Sequence, residues 1–245
     1  RVESRGMKVL KMPGSFNYSR LINRAVEIAS TEYVCLLNND VQAVELGWLT
    51  ELLGRLADPS VGAAGAMLLW PNEIIQHGGV VLGPYFGAAH AFNDRIREDP
   101  GYCDLLRVAR ECSALTAACL LLRRSDYLAV NGMDEALFPV NFNDVDLCLK
   151  LKTRGYRIVF TPHTALLHLE SASRGAERSQ FDRDRAAREL AVLRARWGET
   201  LANDPFYSPM LNFDGPPFSG LAWPPRSCDA RASLSTAPRD IPSGF

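Results

Sequence analysis

Short apolar runs alternate with longer amphipathic stretches along most of the chain. The runs Tyr33–Leu37 and Val61–Leu69 contain no charged position, which is typical of strands buried on both faces of a sheet. Residues 18–30 instead place apolar side chains three and four positions apart, which predicts a helix. Further strands are predicted at residues 8–11, 112–123 and 156–160, although residues 112–123 could also be helical. Further helices are predicted at residues 48–57 and 144–154.

The recurrence of strand, helix and strand predicts an α/β fold with a mostly parallel sheet flanked by helices. A polar helix is predicted at residues 174–197, with Leu190, Leu193 and Trp197 along one side. The last thirty residues hold six of the fifteen prolines and show no apolar period. The predicted division is a main domain at residues 1–213 and an extended, proline-rich tail at residues 214–245.

Composition narrows the class of protein. With 245 residues, 47% of them hydrophobic, the chain has enough apolar material for a core. Lys and Arg number 27 and Asp and Glu 28, so the net charge of -1 argues against a nucleic-acid partner. No apolar run approaches the roughly 20 residues that a membrane span requires. The six cysteines form no Cys-x-x-Cys pair, and most have apolar neighbours. This pattern indicates buried free thiols in a reducing compartment.

The first candidate for chemistry is the run Asn38, Asn39 and Asp40, which directly follows the predicted strand Tyr33–Leu37. In open α/β sheets, ligands bind beyond the carboxyl ends of the strands. Asp40 could therefore hold a divalent cation that bridges a diphosphate. A turn accounts for the same three residues, because Asn and Asp both favour turns.

The second candidate is the group Asn143, Asp144 and Asp146 at the start of the helix predicted at residues 144–154. Carboxylates at such a position commonly cap backbone amides and complement the helix dipole. An aspartate that is shielded from water can also serve as a general base. Because Asp144 and Asp146 are two positions apart, they do not share a helix face, and at most one is expected to reach a substrate.

Two histidines complete the candidates. His168 follows an apolar segment and could bind the same cation as Asp40, although a lone histidine is more often structural. His77 lies in a Gln-His-Gly-Gly run whose glycines indicate a turn, so it receives no assignment.

The order and spacing of these groups closely resemble glycosyltransferase family 2, especially its O-antigen and rhamnosyltransferase-like branch. The resemblance covers residues 16–225. It is carried by the runs NND at 38–40, TAACLLLRR at 116–124, GMDE at 132–135, FNDVDLCL at 142–149, GYR at 155–157 and HLESAS at 168–173.

The resemblance implies a GT-A fold and the transfer of a sugar, usually with inversion, from a nucleotide diphosphate to a glycan or lipid-linked glycan. It implies Asp144 as the catalytic base, and Asp40 and His168 as ligands of Mn²⁺ or Mg²⁺. Two positions depart from the family pattern, since Asn38 and Asn143 stand where an acid is usual. The matched positions for the nucleotide sugar are Asn23, Asn38, Asn39, Thr116 and Ala117, and those on the acceptor side are Asn143 and Asp146.

The resemblance also implies an opening βαβ unit for the nucleotide base, and this sequence shows none before residues 8–11. We therefore expect an N-terminally truncated GT-A domain, either because that unit lies upstream in a longer protein or because this is a truncated copy. The implied role is surface polysaccharide synthesis, such as O-antigen, on the cytoplasmic side and in peripheral contact with the inner face of the membrane through a lipid-linked acceptor or a partner.

Three alternatives belong to other classes. A non-catalytic remnant or interaction module would keep the fold but bind no nucleotide sugar. A nicotinamide-dependent oxidoreductase would need a Gly-x-Gly-x-x-Gly turn after its first strand, and the sequence has none. A metal-dependent hydrolase would need a denser set of histidine and acidic ligands than this sequence offers, since the chain has only four histidines.

Overall fold

The computed structural model describes residues 8–169 and 179–226. Within them the helices are α1 Tyr18–Ile28, α2 Trp48–Leu56, α3 Arg124–Ala129, α4 Asn143–Thr153 and α5 Gln180–Ala202. The strands are β1 Tyr33–Leu37, β2 Val41–Ala43, β3 Val61–Leu69, β4 Ile75–His77, β5 Val80–Leu82, β6 Ala88–His90, β7 Arg110–Glu111, β8 Cys119–Arg123 and β9 Arg157–His168.

A seven-stranded sheet forms the centre of the described structure. Its main path has the order β1-β8-β3-β9-β2, while β4 pairs with β3 and β7 pairs with β9. The strands β1, β3 and β9 run in one direction, and β8 runs against them between β1 and β3. The strands β5 and β6 form a separate two-stranded sheet.

The sheet was predicted to be mostly parallel, and this is wrong, because most neighbouring strands pair in antiparallel fashion. Of the six pairings described in this sheet, only that of β3 with β9 is parallel. The physical reason lies in the segment between β3 and β8. A parallel connection must carry the chain back across the sheet, but β8 starts beside the end of β1, with Cys119 opposite Leu37, and therefore runs backwards.

The two faces of the sheet pack against different helices. Along β3, whose nine residues are all buried, Ala63, Met67 and Leu69 face one cluster while Ala64 and Leu68 face the other. This alternation is the period of two that a strand imposes on its side chains. Helix α2 covers one face through its buried leucines, and helices α1, α3, α4 and α5 contribute to the larger cluster on the other face.

Most predicted elements are confirmed. The strands at Tyr33–Leu37 and Val61–Leu69 have the predicted bounds, and α1, α2 and α4 end within two residues of the predicted limits. The strand predicted at residues 8–11 is wrong, because this segment has no regular structure and its apolar side chains are exposed. Of the strand predicted at residues 112–123 only the last five residues form β8.

The helix predicted at residues 174–197 begins at Gln180 as α5 and extends to Ala202. Residues 170–178, where the predicted helix begins, lie outside the described residues. In the part of the chain that is described, no helix is both long enough and apolar enough to cross a lipid bilayer.

Residues 214–226 contain no helix or strand, as the sequence predicts, but they pack on the domain rather than extending from it. The ring of Phe218 stacks on that of Phe92 at 4.7 Å, and the guanidinium of Arg226 lies 3.5 Å from the ring centroid of Phe213. Gly83 lets Phe213 approach, since a Cβ there would lie 2.1 Å from the ring. Residues 227–245 lie outside the described residues.

Candidate active site

A cleft of about 180 Å³ opens at the edge of the sheet where β1, β3 and β9 end and β8 begins. Three of its residues occupy these strand ends, namely Asn38 after β1, Trp70 after β3 and His168 at the end of β9. Thr116 and Ala117, just before β8, line the same cleft. Since strand ends bring together residues that are distant in sequence, this edge is where a ligand site is expected in such a sheet.

The orientation of His168 is fixed by Gln76. The ring atom Nδ1 of His168 lies 2.7 Å from Oε1 of Gln76, so the ring donates its Nδ1 hydrogen to that oxygen. In the neutral ring this leaves a lone pair on Nε2. Nε2 lies 3.3 Å from Oδ1 of Asp40 and 3.4 Å from Nδ2 of Asn38.

The pair formed by Asp40 and His168 fits a divalent cation. Oδ1 of Asp40 is buried and has no hydrogen-bond donor among the described residues, and it faces the Nε2 lone pair. A ligating histidine typically donates its other ring hydrogen to an oxygen, as His168 does to Gln76. Within residues 8–169 and 179–226 no three His, Cys, Asp or Glu side chains converge. A cation here would therefore take its remaining ligands from a bound phosphate group and water.

Tyr18 links two segments of the cleft and is a residue that the sequence analysis missed. Its hydroxyl lies 3.2 Å both from Oδ1 of Asn38 and from the backbone carbonyl of Ala117. Asn38 therefore lies between Tyr18 and His168, with its amide orientation set by both. No feature of the sequence around Tyr18 distinguishes it from a tyrosine that only packs against the core.

Asp144 lies half-buried in the cleft, in the first turn of α4. Its Oδ2 accepts a hydrogen bond of 3.1 Å from the Ala117 N–H, and its Oδ1 accepts one of 2.8 Å from the Val145 N–H. Burial raises the pKa of Asp144 above its ordinary value, while these hydrogen bonds oppose that rise. A carboxylate that is fixed in place and has a raised pKa is suited to accept a proton.

The segment that precedes α4 is held by Glu189 of α5, which the sequence analysis also missed. The buried carboxylate of Glu189 accepts hydrogen bonds from the N–H groups of Val140 and Asn141 and from the Asn141 side chain. Phe142 then adopts a left-handed conformation, with φ of 59°, and α4 begins. Asn141 and Asn143 line the cleft, and Asn143 also donates to the Val140 carbonyl at 2.9 Å.

Four residues predicted for the site do not line the cleft. One is Asp40, which lies next to the cleft residue His168, and the others are Asn23, Asn39 and Asp146. Oδ1 of Asn23 accepts hydrogen bonds from Tyr127 and the Met133 N–H, so Asn23 holds the turn after α3. Asn39 is exposed next to the cleft. Asp146 is fully buried and points toward α5, because a residue two positions from Asp144 faces another side of the helix.

Asp146 instead joins α4 to α5. Its Oδ1 accepts hydrogen bonds of 2.8 Å from Arg196 and 3.0 Å from Trp197, and Lys150 lies 3.2 Å from its Oδ2. These contacts balance the charge of a carboxylate that would be costly to bury alone, while its Oδ2 accepts no hydrogen bond from the described residues. The acceptor-side role predicted for Asp146 is therefore replaced by a structural one.

Comparison with known proteins identifies the family. The family described as "Glycosyltransferase like family 2" matches residues 7–200. An uncharacterized protein y4gI of Sinorhizobium fredii is 41% identical over 207 residues, which are 84% of this chain and 23% of that protein. The O-antigen biosynthesis protein RfbC of Myxococcus xanthus is 36% identical over 233 residues, 93% of this chain and 17% of that protein. The chain thus spans less than a quarter of the length of these two relatives.

A solved structure shows the fold. The crystal structure of GalNAc-T7 with UDP, GalNAc and Mn²⁺ superimposes with a TM-score of 0.57 over 79% of this chain and 39% of that one, at 11% identity. That protein has the GT-A fold, so the fold class implied by the resemblance is confirmed. Family match, relatives and fold agree, and the chain belongs to glycosyltransferase-like family 2.

Proposed function

We propose that this protein transfers a sugar from a nucleotide diphosphate to a hydroxyl group of a glycan acceptor. One observation carries the proposal: His168, which lies 3.3 Å from Asp40, lines the same cleft as Asp144, whose pKa is raised by burial. A cation-binding pair and a general base in one cleft are the two elements that displacement of a diphosphate by a hydroxyl group requires.

Asp144 acts on the acceptor hydroxyl, which is a poor nucleophile while it keeps its proton. As the new bond forms between the hydroxyl oxygen and the anomeric carbon, Asp144 takes the proton and the bond to the diphosphate oxygen breaks. A single displacement from the opposite face inverts the anomeric carbon. No protein nucleophile takes part, so the mechanism requires no activated serine or cysteine.

Asp40 and His168 would hold Mn²⁺ or Mg²⁺, which when bound offsets the negative charge that develops on the leaving diphosphate. Gln76 keeps the His168 ring in the orientation that this role requires. Asn38, Asn39, Thr116 and Ala117 are proposed to contact the nucleotide sugar, and Asn143 the acceptor. The GalNAc-T7 structure with UDP and Mn²⁺ supports the choice of ligands.

The names of two relatives support surface polysaccharide synthesis with a lipid-linked acceptor. One is the O-antigen biosynthesis protein RfbC. The other is an N-acetylglucosaminyl-diphospho-decaprenol L-rhamnosyltransferase of Mycobacterium tuberculosis, 26% identical over 199 residues, which are 70% of this chain and 61% of that protein. We place the reaction on the cytoplasmic side, with membrane contact through the acceptor.

Calorimetric titration of UDP, dTDP and GDP into the protein, with and without Mn²⁺, tests the proposal. Tight binding of one nucleotide that depends on the cation is the expected result, and it would also identify the class of sugar nucleotide. A folded protein that binds none of the three in either condition would contradict the proposal and favour a non-catalytic module with the same fold.

A further inference from the structure

The side chain of Trp70 lines the cleft and does not pack into the core. It is half-buried and follows the last residue of β3. Trp48 and Trp197 each pack against one of the two hydrophobic clusters, whereas Trp70 packs against neither. Among the described residues, no aromatic ring or cationic side chain contacts its indole. A large apolar ring is therefore left to the cleft, where aromatic side chains commonly bind ligands.

The turn after β3 holds the backbone of Trp70 in place. The N–H of Trp70 donates a hydrogen bond of 2.8 Å to the Ile74 carbonyl, and the N–H of Glu73 donates one of 2.8 Å to the Trp70 carbonyl. Glu73 adopts a left-handed φ of 63°, and the side chain of Asn72 accepts from the Ile74 N–H at 3.3 Å. Both backbone groups of Trp70 are thus bonded, so a ligand that contacts the indole does not have to order this segment.

Trp70 lies beside the proposed cation site. Strands β3 and β9 pair in parallel with Leu69 opposite Leu167, so the next residues along the two strands are Trp70 and His168. Neighbouring strands lie about 4.8 Å apart, and residues in adjacent register point to the same side of a sheet. A group attached to a diphosphate at Asp40 and His168 is therefore within reach of the indole.

Asn93 supplies a hydrogen-bond acceptor on the other side of β4. Its Oδ1 is buried and no described residue donates a hydrogen bond to it, and Asn93 lines the same cleft as Trp70. Strand β4 pairs with β3 along one edge. Along its other edge the Ile75 N–H donates to the Arg95 carbonyl and the Asp94 N–H donates to the Ile75 carbonyl. An aromatic face and a polar acceptor thus flank β4 and line one cleft.

We propose that Trp70 and Asn93 form a sugar-binding subsite. The indole stacks on the apolar face that the C–H groups of a pyranose ring present, and Oδ1 of Asn93 accepts a hydrogen bond from a hydroxyl group of the same sugar. This ring belongs to the nucleotide sugar or to the acceptor glycan. The proposal rests on the proposed function and adds the residues that recognise the sugar.

A pyranose ring matches the two side chains better than other ligands do. It combines C–H groups that pack on an aromatic ring with hydroxyl groups that donate to an acceptor. A phosphate has only acceptor oxygens, which cannot donate to Oδ1 of Asn93. A lipid chain covers the indole but leaves that buried oxygen without a donor, which costs free energy.

A nucleobase is the remaining competitor, because it also has a flat face and N–H donors. The position of the proposed base favours the sugar. Asp144 lines the same cleft as Trp70. Since the anomeric carbon must lie between the base and the leaving diphosphate, the ring that occupies this cleft is that of a sugar.

Indole ¹H–¹⁵N NMR spectra test the subsite directly, with the Trp70 signal assigned as the one that Trp70→Phe removes. One arm compares UDP, dTDP and GDP with UDP-glucose, dTDP-rhamnose and GDP-mannose in the presence of Mn²⁺. The other arm adds methyl glycosides of glucose, galactose, mannose, rhamnose and N-acetylglucosamine to the protein, with and without nucleotide and Mn²⁺. The arm that shifts the signal identifies the source of the sugar.

The expected result is a shift of the Trp70 signal by a sugar in one of the arms, beyond any shift caused by nucleotide alone. A full shift with nucleotide alone would show that the indole stacks on the base, and would overturn the proposal. No shift with any sugar in either arm would also overturn it. Nucleotide binding is recorded separately in the first arm, so a failed sugar subsite is distinguishable from a failed nucleotide site.

Variants link the sugar to the two side chains. Trp70→Ala should lower the affinity for the sugar that shifts the signal by roughly 10-fold, while nucleotide affinity stays within roughly a factor of two. Asn93→Ala should lower it by roughly 10-fold without lowering stability, because its buried Oδ1 has no partner to lose. The matched controls are the exposed residues in Trp223→Ala and Asn203→Ala. Sugar affinity that survives both cleft variants would contradict the proposal.

Discussion

The backbone N–H of Ala117 donates a hydrogen bond of 3.1 Å to Oδ2 of Asp144, across 27 positions of the chain. Ala117 lies just before β8 and Asp144 in the first turn of α4, so the bond joins the edge of the sheet to the start of the helix. It fixes one carboxylate oxygen and favours the ionised form of a side chain whose pKa burial raises. The proposed base is therefore oriented by the strand edge that forms the floor of the cleft.

Asp144→Asn is expected to reduce the turnover rate by about 10²- to 10⁴-fold, the usual contribution of a general base. Nucleotide affinity in the presence of Mn²⁺ should stay within roughly a factor of two, because the base acts on the acceptor and not on the nucleotide. Single-turnover kinetics and calorimetry measure the two quantities. Asp184→Asn, an exposed carboxylate on α5, is the matched control. Parallel loss of rate and nucleotide affinity would remove Asp144 from the role of base.

The pH dependence of turnover should show the raised pKa of Asp144. The base works only when ionised, so kcat falls as the pH drops through the pKa of Asp144, and this limb should lie above the ordinary aspartate value of 3.8. Measurement at saturating Mn²⁺ and nucleotide sugar separates proton transfer from cation binding. An acidic limb at or below 3.8 would contradict the raised pKa.

Asp40→Asn should abolish the gain in nucleotide affinity that Mn²⁺ provides, because it removes the carboxylate that faces His168. Gln76→Ala should weaken Mn²⁺ binding by about 10- to 100-fold, since Gln76 orients the His168 ring. Calorimetry of nucleotide binding across a Mn²⁺ series measures both effects, with Asp184→Asn as the control. Unchanged cation dependence in Asp40→Asn would show that the cation binds elsewhere.

Asp146→Ala should destabilise the protein by about 1–3 kcal/mol, because it removes the carboxylate that accepts hydrogen bonds from Arg196 and Trp197, while Arg196 keeps its ion pair with Asp134. The variant should keep wild-type nucleotide affinity per folded molecule, since Asp146 does not line the cleft. Urea unfolding measures the change in free energy, and Asp184→Ala serves as the exposed control. A variant that remains stable but has lost nucleotide affinity would show that Asp146 contributes to nucleotide binding.

Glu189→Gln should lower turnover while leaving nucleotide affinity intact. A glutamine keeps one acceptor oxygen but turns an NH₂ group toward N–H donors, so the segment of Val140 and Asn141 before Asp144 is held less firmly. The expected cost in stability is about 1–3 kcal/mol. Glu199→Gln, exposed on the same helix, is the matched control. Unchanged turnover in Glu189→Gln would show that Glu189 stabilises the fold but does not position Asp144.

The pattern of residues was enough to predict most of the local structure and several side chains of the site. Apolar periodicity depends on which faces of an element are buried, so it predicted the strands Tyr33–Leu37 and Val61–Leu69 and the helices α1, α2 and α4. The expectation that Asp40 and His168 bind one cation concerns two side chains that the structure brings within 3.3 Å of each other. Asp144, the base that the resemblance implies, lines the cleft together with His168.

Strand direction and the contacts between distant segments follow from the tertiary packing and could not be predicted from the local pattern. Periodicity reports burial and not direction, so the reversal of β8 had no signal in the pattern. Gln76 meets His168 across 92 positions and Glu189 meets Asn141 across 48, and neither pair lies on one element. Asn23 and Asp146 were assigned to the site because they match family positions. In the structure Asn23 instead bonds the turn after α3, and Asp146 bonds Arg196 of α5. Such contacts depend on how the elements pack around the sheet, which no local pattern encodes.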